Sequence, residues 1–146
     1  IYWGESRDID SIRSLTVACD LGTAVYTTAH ANSVASTIPR LVRMFPAHQR
    51  DGMQAALVCA LQTLCFQCLL PCTKGGVVAL REYLFLDDEV KRKLVDLPLS
   101  QLSSEIQNIQ LAQGGDLNTA LMGLSDNNTI TDLVLKQQVE KHTKGH

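Results

Sequence analysis

The 146 residues are enough for one folded domain with a hydrophobic core, and the apolar share of 45% and charged share of 19% are typical of a water-soluble globular protein. No segment approaches the roughly 18 to 20 consecutive apolar residues of a membrane-spanning helix, and a formal net charge of -2 with scattered basic residues excludes a direct nucleic-acid binder. The first residues lack the basic region of a secretory signal, so we expect a cytoplasmic protein without membrane insertion.

The first elements in the sequence predict a strand, a helix and a second strand. Ile1–Trp3 is typical of the end of a strand, and Asp8 is a good N-cap for a helix from about Ile9 to Asp20. Thr23–Thr28 is β-branched and aromatic, which favours a buried strand. Strands joined by a helical crossover are parallel, and parallel sheets are covered on both faces. Because two short strands cannot make such a sheet, we expect this chain to be the C-terminal part of a larger α/β domain.

Two helices are predicted next. Asn32 or Ser33 can cap a helix that runs to about Met44, and Pro39 is expected to start a new segment or to bend this helix. The stretch from Gln49 to Leu69 is apolar nearly all round at helical spacing, which favours a long, buried central helix.

The second half of the chain is predicted to be one strand followed by helices. Pro71 and the Gly75-Gly76 pair end the long helix, and the strand follows at Val77–Leu86. Asp87-Asp88 caps the next helix. The predicted helices span about 88–95, 98–110 and 117–124, followed by a polar linker at 125–128, a final helix at 131–142 and a frayed tail.

Four of the five cysteines lie close together in the sequence, which favours free thiols over a disulfide framework. If helical geometry continues past Pro71, then Cys65, Cys68 and Cys72 share one face, and their spacing raises the possibility of a zinc site. No histidine is near in sequence, and the flanking leucines favour packing in an apolar core. We therefore expect no metal site here.

Polar residues follow both predicted strands, at residues 4–8 and 27–32. Because the carboxyl ends of parallel strands meet at one edge of a sheet, Glu5 and His30 are expected to lie together where a nucleotide phosphate would bind. Local spacing alone names no substrate. Taken alone, Glu5 could simply form a surface ion pair with Arg7, and His30 could be a structural hydrogen-bonding residue.

Three segments together resemble one family. The IYWGE stretch with Arg7 and Asp8 resembles the Walker B segment of the type II/type IV secretion ATPases, which include pilus-retraction motors. TTAHANSVASTIPRLVRMFP resembles their histidine box, and residues 57–70 with Gly75-Gly76 and Glu82 resemble the helix and returning strand that follow. The order and spacing agree over roughly residues 1–124.

Two further segments favour one branch of that family. RDIDSIRSL and EYLFLDDEVKRKL resemble the conjugal-transfer and Dot/Icm-like branch of type IV secretion motors. Retraction motors carry an arginine-containing helix after the returning strand, which Val90–Leu94 fits only loosely. We therefore expect no pilus-specific role.

The resemblance implies an α/β fold: the C-terminal portion of a RecA-like P-loop NTPase domain in residues 1–86, followed by a helical subdomain at 87–124 and a linker with a terminal helix and tail at 125–146. It implies a homo-hexameric motor that hydrolyses Mg-ATP for type IV secretion or for conjugative transfer of plasmid DNA or of pili. Such a motor is cytoplasmic, peripheral to the inner membrane and docked on its platform proteins.

The resemblance also implies roles for individual residues. Glu5 matches the Walker B glutamate that orients or deprotonates the attacking water near Mg²⁺, and His30 matches a histidine that contacts the γ-phosphate. Thr28 is expected to position His30. Arg7 and Asp8 are weaker nucleotide-binding candidates, because a salt bridge and a helix cap account for them.

The phosphate-binding loop is the missing half of this site. The sequence contains no G-x-x-x-x-G-K-[ST], so we expect the chain alone neither to bind ATP and Mg²⁺ tightly nor to hydrolyse ATP. The alternative is a non-enzymatic module that docks on a secretion platform through the helices after Asp87. We also expect dimers or larger species, because the first strand has an open edge.

Overall fold

The computed structural model describes residues 1–143. Within that range the chain forms two separate two-stranded sheets, and helices connect and cover them. The elements in chain order are β1 Tyr2–Glu5, α1 Ile9–Asp20, β2 Tyr26–Thr28, α2 Val34–Arg43, α3 Arg50–Ala60, β3 Thr63–Pro71, β4 Val77–Phe85, α4 Asp88–Val95, α5 Leu99–Gln113, α6 Leu117–Asp126 and α7 Asp132–Thr143, with a 3₁₀ turn at Ala47–Gln49.

The first sheet confirms the predicted strand, helix and parallel strand. β1 pairs with β2 in parallel, and α1 forms the crossover between them. Asp8 caps α1 as predicted: its carboxylate accepts from the Ser11 N–H at 2.7 Å, and the Asp8 N–H donates back to the Ser11 hydroxyl at 3.3 Å. Ile12 of α1 is fully buried, so it anchors the crossover to the core.

The prediction that these strands are buried is wrong. Tyr2 is 90% exposed and Tyr26 is 64% exposed, and their rings stack on each other with centroids 5.4 Å apart. Each strand has only the other as its hydrogen-bonded neighbour among residues 1–143. A β-branched and aromatic strand is suited to a covered sheet, but two strands alone leave most of their side chains in solvent.

Helix α2 begins at Val34, directly after the predicted cap Ser33, whose hydroxyl accepts from the Ser36 N–H at 3.1 Å. It is one continuous helix through Pro39, so the predicted new segment does not start there. Proline forfeits one intrahelical hydrogen bond. The Pro39 ring is buried, as are the side chains of Ile38 and Val42 on the same helix, and its burial offsets part of the free energy lost with that hydrogen bond.

The predicted long helix from Gln49 to Leu69 is wrong in its second half. Helix α3 ends at Ala60, and the chain continues as strand β3, in which exposed and less exposed residues alternate. β3 pairs antiparallel with β4 in continuous register from Thr63–Phe85 to Pro71–Val77. The apolar residues here line both faces of a strand, and such a run fits helical and strand periods equally well.

Strand β4 at Val77–Phe85 confirms the predicted strand and forms a hairpin with β3. Gly75 and Gly76 make the turn with φ angles of 85° and 79°, which glycine adopts without strain. The hairpin joins two clusters of buried side chains. Leu84 and Leu86 belong to the main core with α1 to α5, whereas Leu70 and Leu80 pack with α6 and Ile130.

The C-terminal helices confirm the predicted elements with longer boundaries. α4 starts after its predicted cap Asp87, whose carboxylate accepts from the Val90 N–H at 2.9 Å. α5 continues to Gln113, and α6 continues to Asp126, so it takes up part of the predicted linker. The last helix is described to Thr143, and the predicted frayed tail at residues 144–146 lies outside the described residues.

Candidate functional site

The predicted site residues meet at the carboxyl ends of the two parallel strands. Glu5 is the last residue of β1 and Thr28 the last of β2, and the two are paired in the ladder. The Ser6 N–H extends the pairing by donating to the Thr28 carbonyl at 2.8 Å. His30 follows two residues after Thr28, in the loop that leads to α2. The strand order therefore brings the carboxylate and the imidazole together.

Glu5 lies between two cationic-type side chains. Its Oε1 is 2.5 Å from His30 Nε2, and its Oε2 accepts from Arg7 Nε at 2.5 Å. The Glu5 side chain is 19% exposed, whereas those of Arg7 and His30 are 73% and 80% exposed. The carboxylate is thus partly shielded, and the groups around it face solvent.

One oxygen of this carboxylate has unused hydrogen-bonding capacity. Glu5 Oε1 is shielded from solvent and accepts no hydrogen bond from the described residues. Its approach to His30 Nε2 is close in distance but does not have hydrogen-bond geometry. Because shielded carboxylate oxygens normally have partners, the arrangement fits a carboxylate that receives a further donor, such as a bound water, during function.

The surroundings of Glu5 keep it ionised. The Arg7 hydrogen bond is the largest cause that lowers the pKa of Glu5; desolvation opposes it, and the charges of Arg7 and His30 lower the pKa further. The same pair raises the pKa of Arg7. A general base works best with a pKa near the working pH. A carboxylate with a lowered pKa is therefore better suited to orient a water molecule electrostatically than to take its proton.

Hydroxyl groups connect the two strands beside this carboxylate. Thr28 Oγ1 donates to the Gly4 carbonyl at 3.2 Å, and the hydroxyls of Ser6 and Thr27 are 2.9 Å apart. The described residues show no hydrogen bond from Thr28 to His30. Thr28 therefore contributes to the site by linking the end of β2 to the end of β1, so that the two strands end side by side.

Arg7 and Asp8 have the structural partners that the sequence offers them. Arg7 is bound to Glu5, and Asp8 is committed to the first turn of α1. The Ser11 backbone N–H is the largest cause of the lowered pKa of Asp8, followed by the Ser11 hydroxyl. Asp8 thus uses its charge at the helix N-terminus, while Arg7 remains mostly exposed at the mouth of the site.

A shallow cleft of about 260 Å³ opens beside Glu5, and it includes a cation that sequence reasoning missed. Arg40 of α2 lines the cleft and is exposed. No local motif links it to Glu5, because the two residues are far apart in sequence and meet in this cleft only through the tertiary fold. The lining residues are Glu5, Ser6, Arg7, His30, Arg40, Leu41 and Met44.

Comparison with known proteins identifies the family. No family model matches the chain. The pilus retraction ATPase PilT of Pseudomonas aeruginosa is 33% identical over 107 residues, which cover 73% of this chain and 31% of that protein. The crystal structure of the Legionella pneumophila ATPase DotB superposes with a TM-score of 0.91 at 29% identity, covering 97% of this chain and 38% of that chain.

This chain belongs to the type II/type IV secretion ATPase family. A structure of the pilus retraction motor PilT with bound ADP agrees, with a TM-score of 0.80 at 28% identity over 94% of this chain and 38% of that one. The fold is accordingly the α/β fold of the C-terminal portion of a RecA-like P-loop NTPase domain with a helical region. The chain spans about a third of the length of the relatives that it matches.

The chemistry of these residues fits one side of a Mg-nucleotide. An ionised carboxylate with a shielded acceptor oxygen suits the water and metal side, and the exposed guanidinium of Arg7 suits phosphate oxygens. The other side needs a cradle of backbone N–H groups and a lysine, and the 146 residues contain no such motif.

Cys65 and Cys68 lie on strand β3 and Cys72 follows its end, so the helical face on which the expectation depended does not exist. Cys65 is exposed and Cys68 is half-buried, because residues three apart on a strand point to opposite faces. The expected core packing therefore fails for Cys65, while Cys68 packs against the second cluster. In residues 1–143 no group of three or more His, Cys, Asp or Glu side chains is placed to hold a metal ion.

Among residues 1–143, no helix is both long enough and apolar enough to cross a membrane.

Proposed function

We propose that this chain carries the Walker B and histidine-box part of a hexameric ATPase that powers type IV secretion or conjugative transfer. The observation that carries the proposal is the contact of Glu5 with His30 at the carboxyl end of paired parallel strands. Similarity to a pilus retraction ATPase and to DotB supports the same chemistry. ATP with Mg²⁺ would supply the phosphoryl group and the Lewis acid of the reaction.

The chain's own residues have distinct parts in this proposal. Glu5, kept ionised by Arg7, orients a water molecule through its shielded Oε1. His30, 2.5 Å from Glu5, would contact the terminal phosphate of a bound nucleotide. Arg7 and Arg40 add positive charge at the mouth of the cleft, which favours an anionic ligand.

We infer that the protein belongs to the conjugal-transfer and Dot/Icm-like branch. The superposition on DotB covers 97% of this chain, and RDIDSIRSL and EYLFLDDEVKRKL favour the same branch. A motor of this branch would be cytoplasmic, peripheral to the inner membrane and docked on platform proteins. Residues 1–86 would contribute to the ATPase core, 87–124 to a helical subdomain and 125–146 to a linker and terminal helix.

The 146-residue chain alone should neither hydrolyse ATP nor bind it tightly. It lacks a phosphate-binding loop, and that loop supplies most of the donors to the phosphate oxygens in P-loop proteins. Self-association through the open edge of β1 is expected of the isolated chain, because unpaired strand groups recruit another strand.

The test is the Glu5→Gln substitution in the full-length motor, with Mg-ATP turnover and nucleotide affinity measured separately. We expect turnover to fall by roughly 10²- to 10³-fold, the usual loss on removing one electrostatic group from an active site, and the nucleotide Kd to change little. Glu89→Gln is the matched control, since Glu89 is an exposed residue paired with Lys93 on α4, away from the cleft. Hydrolysis at the unsubstituted rate in Glu5→Gln would contradict the catalytic assignment.

A docking module without enzymatic activity is the second candidate function. Apolar side chains on the C-terminal helices, among them Leu111, Met122 and Leu133, are each about 60% exposed: 62%, 58% and 66%. Such side chains suit a surface that binds another protein. Absence of any Mg-ATP turnover by the unsubstituted full-length protein, together with retained binding to a secretion platform, would favour this candidate over the motor.

A further inference from the structure

Glu82 is a buried carboxylate that the site described above does not use. It lies on β4 on the face that packs against the helices, and it is only 6% exposed. Its Oε1 accepts a hydrogen bond from the backbone N–H of Val34 at 2.5 Å. Val34 is the first residue of α2, so the carboxylate lies at the positive end of that helix.

The other elements around Glu82 complete its surroundings. From α5, the amide of Gln110, itself 2% exposed, hydrogen-bonds to Glu82 and also donates to the Tyr83 carbonyl at 3.3 Å. From the start of α6, the Asp116 carboxylate adds a like charge. Burial is the main cause that raises the pKa of Glu82, and the Val34 N–H and Gln110 oppose it. Hydrogen bonds from the start of α2 and from α5 thus meet on this one buried carboxylate of β4.

The contact with Val34 lies at the end of the loop that carries His30. This loop, residues 29–33, leaves β2 at Thr28 and enters α2 at Val34. Its first end is held by the β1–β2 pairing and by the Thr28 hydroxyl. Its second end is held by the burial of Val34 and Ala35 in the main core and by the hydrogen bond from the Val34 N–H to Glu82, while the Ser33 side chain caps its own helix. His30 itself is 80% exposed, so packing contributes little to its position.

We propose that Glu82 is a positioning residue for His30: by holding the Val34 N–H it fixes the start of α2 and keeps the imidazole against Glu5. The effect on turnover depends on the proposed function, whereas the geometric effect can be measured in this chain without nucleotide. Glu82 touches neither Glu5 nor His30, so it acts through the backbone of the loop.

A purely structural cap would stabilise α2 without controlling His30. The two roles differ in one observable, the coupling between Glu5 and His30. In the 146-residue chain, the Glu5→Gln substitution should change the NMR chemical shifts of the His30 ring, because the two side chains are in contact. The size of this shift change is compared between chains that contain Glu82 and chains in which Glu82 is replaced. The comparison shows whether Glu82 positions His30 or only stabilises α2.

The experiment measures the change in His30 ring chemical shift caused by Glu5→Gln in four backgrounds: unsubstituted, Glu82→Ala, Glu82→Gln and Glu89→Ala. We expect the full change in the unsubstituted chain and in Glu89→Ala, because Glu89 is exposed on α4. Glu82→Gln keeps an acceptor for the Val34 N–H and should retain most of it. Glu82→Ala should reduce it at least about twofold, since the acceptor of that N–H is gone.

Either of two results would overturn the proposal. One is a full Glu5→Gln perturbation of His30 in a folded Glu82→Ala chain; the other is no perturbation even in the unsubstituted chain. If Glu82→Ala does not fold, Glu82→Asp is used instead, because its shorter side chain withdraws from Val34 without removing the carboxylate. A lowered melting temperature with unchanged coupling in that variant shows a structural cap only and overturns the positioning role.

Turnover separates this inference from the proposed function. In the full-length motor, Glu82→Ala should lower kcat with little change in KM, and Glu82→Gln should restore it. Loss of the NMR coupling with unchanged turnover would support positioning by Glu82 and would contradict the role of His30 in hydrolysis.

Discussion

The two sheets of this protein are both two-stranded, but one is parallel and the other antiparallel, and they are packed very differently. In the strand pair, β1 and β2, Tyr2 and Tyr26 remain mostly in solvent. In the hairpin, β3 and β4, Leu80 and Leu84 are fully buried on the face that meets the helices. The strand pair carries Glu5 and leads to His30, whereas the hairpin carries the core.

This difference shows how chemistry and stability are divided within the chain. A charged group loses solvation when buried, so a carboxylate that must stay ionised is placed at a partly open edge. The strand pair is held there by backbone and hydroxyl hydrogen bonds rather than by apolar burial. The hairpin is part of the buried core, and Glu82 on it accepts a hydrogen bond from the first residue of α2.

The largest expected effect is on global stability, and it tests the division directly. Leu84→Ala should lower the free energy of unfolding by about 2 to 5 kcal/mol, because it removes a fully buried side chain from the main core. Tyr26→Ala should cost less than about 1 kcal/mol, since that side chain is largely exposed. Urea unfolding followed by circular dichroism measures both. Equal losses in the two variants would mean that the strand pair is also part of the core.

The pH dependence of stability should have opposite signs in the two regions. The pKa of Glu5 is lowered in the folded chain, so the unfolded chain binds more protons and Glu5 adds stability above its ordinary pKa of 4.5 that is lost as pH falls. The pKa of Glu82 is raised, so the folded chain binds more protons and stability falls as pH rises from 4.5 through the folded pKa.

Two matched variants, Glu5→Gln and Glu82→Gln, expose these signs. Each removes one titrating group and keeps the size of the side chain. Relative to Glu5→Gln, the unsubstituted chain should gain stability as the pH rises through the acidic range; relative to Glu82→Gln it should lose stability over the window that starts at 4.5. Unfolding measured at several pH values gives both differences. Slopes of the same sign would refute the contrast between the regions.

The smallest expected effects come from the helix caps, one in each region. Asp87→Ala removes the acceptor of the Val90 N–H at the start of α4 and should cost about 1 kcal/mol. Asp8→Ala should also lower the stability of α1. This loss should shrink as the pH falls below 3.8, the ordinary pKa of Asp8, because the hydrogen bonds of the cap favour the ionised carboxylate and protonation removes that contribution. Asparagine at either position retains a capping oxygen and is the control.

Local signals predicted most of the elements correctly. Asp8, Ser33 and Asp87 each precede a helix and cap it through a side chain, because short polar side chains satisfy the first free N–H groups. The strand at Val77 was also predicted correctly, whereas Gly75-Gly76, expected to end a helix, form the turn of a hairpin.

The error at residues 61–69 arose from an ambiguity in the pattern itself. A run that is apolar at nearly every position satisfies a buried helix and a strand with two apolar faces. The pairing of β3 with β4 decided between them, and pairing is a non-local interaction. The useful signal was the near-symmetrical pair of apolar runs around Gly75-Gly76, which is typical of a hairpin.

The site was predictable to the extent that it follows from strand direction. Glu5 and His30 follow parallel strands and meet as expected. The sequence did not predict the hydroxyl bond from Thr28 to the Gly4 carbonyl or the place of Arg40 in the cleft. These depend on side-chain direction and on helix packing, which no local pattern contains.

The sequence by itself determined the helix starts, the parallel strand pair and the meeting of a carboxylate with an imidazole, because caps and crossovers act within a few residues or by a general rule of chain direction. Only the tertiary structure decided that the apolar run at residues 63–71 became a strand and that the side chains of Tyr2 and Tyr26 stayed exposed to solvent. It also decided that Glu82 accepts a hydrogen bond from the Val34 N–H. Those outcomes depend on contacts between residues far apart in sequence, whose free energy is set by burial and pairing rather than by local propensity.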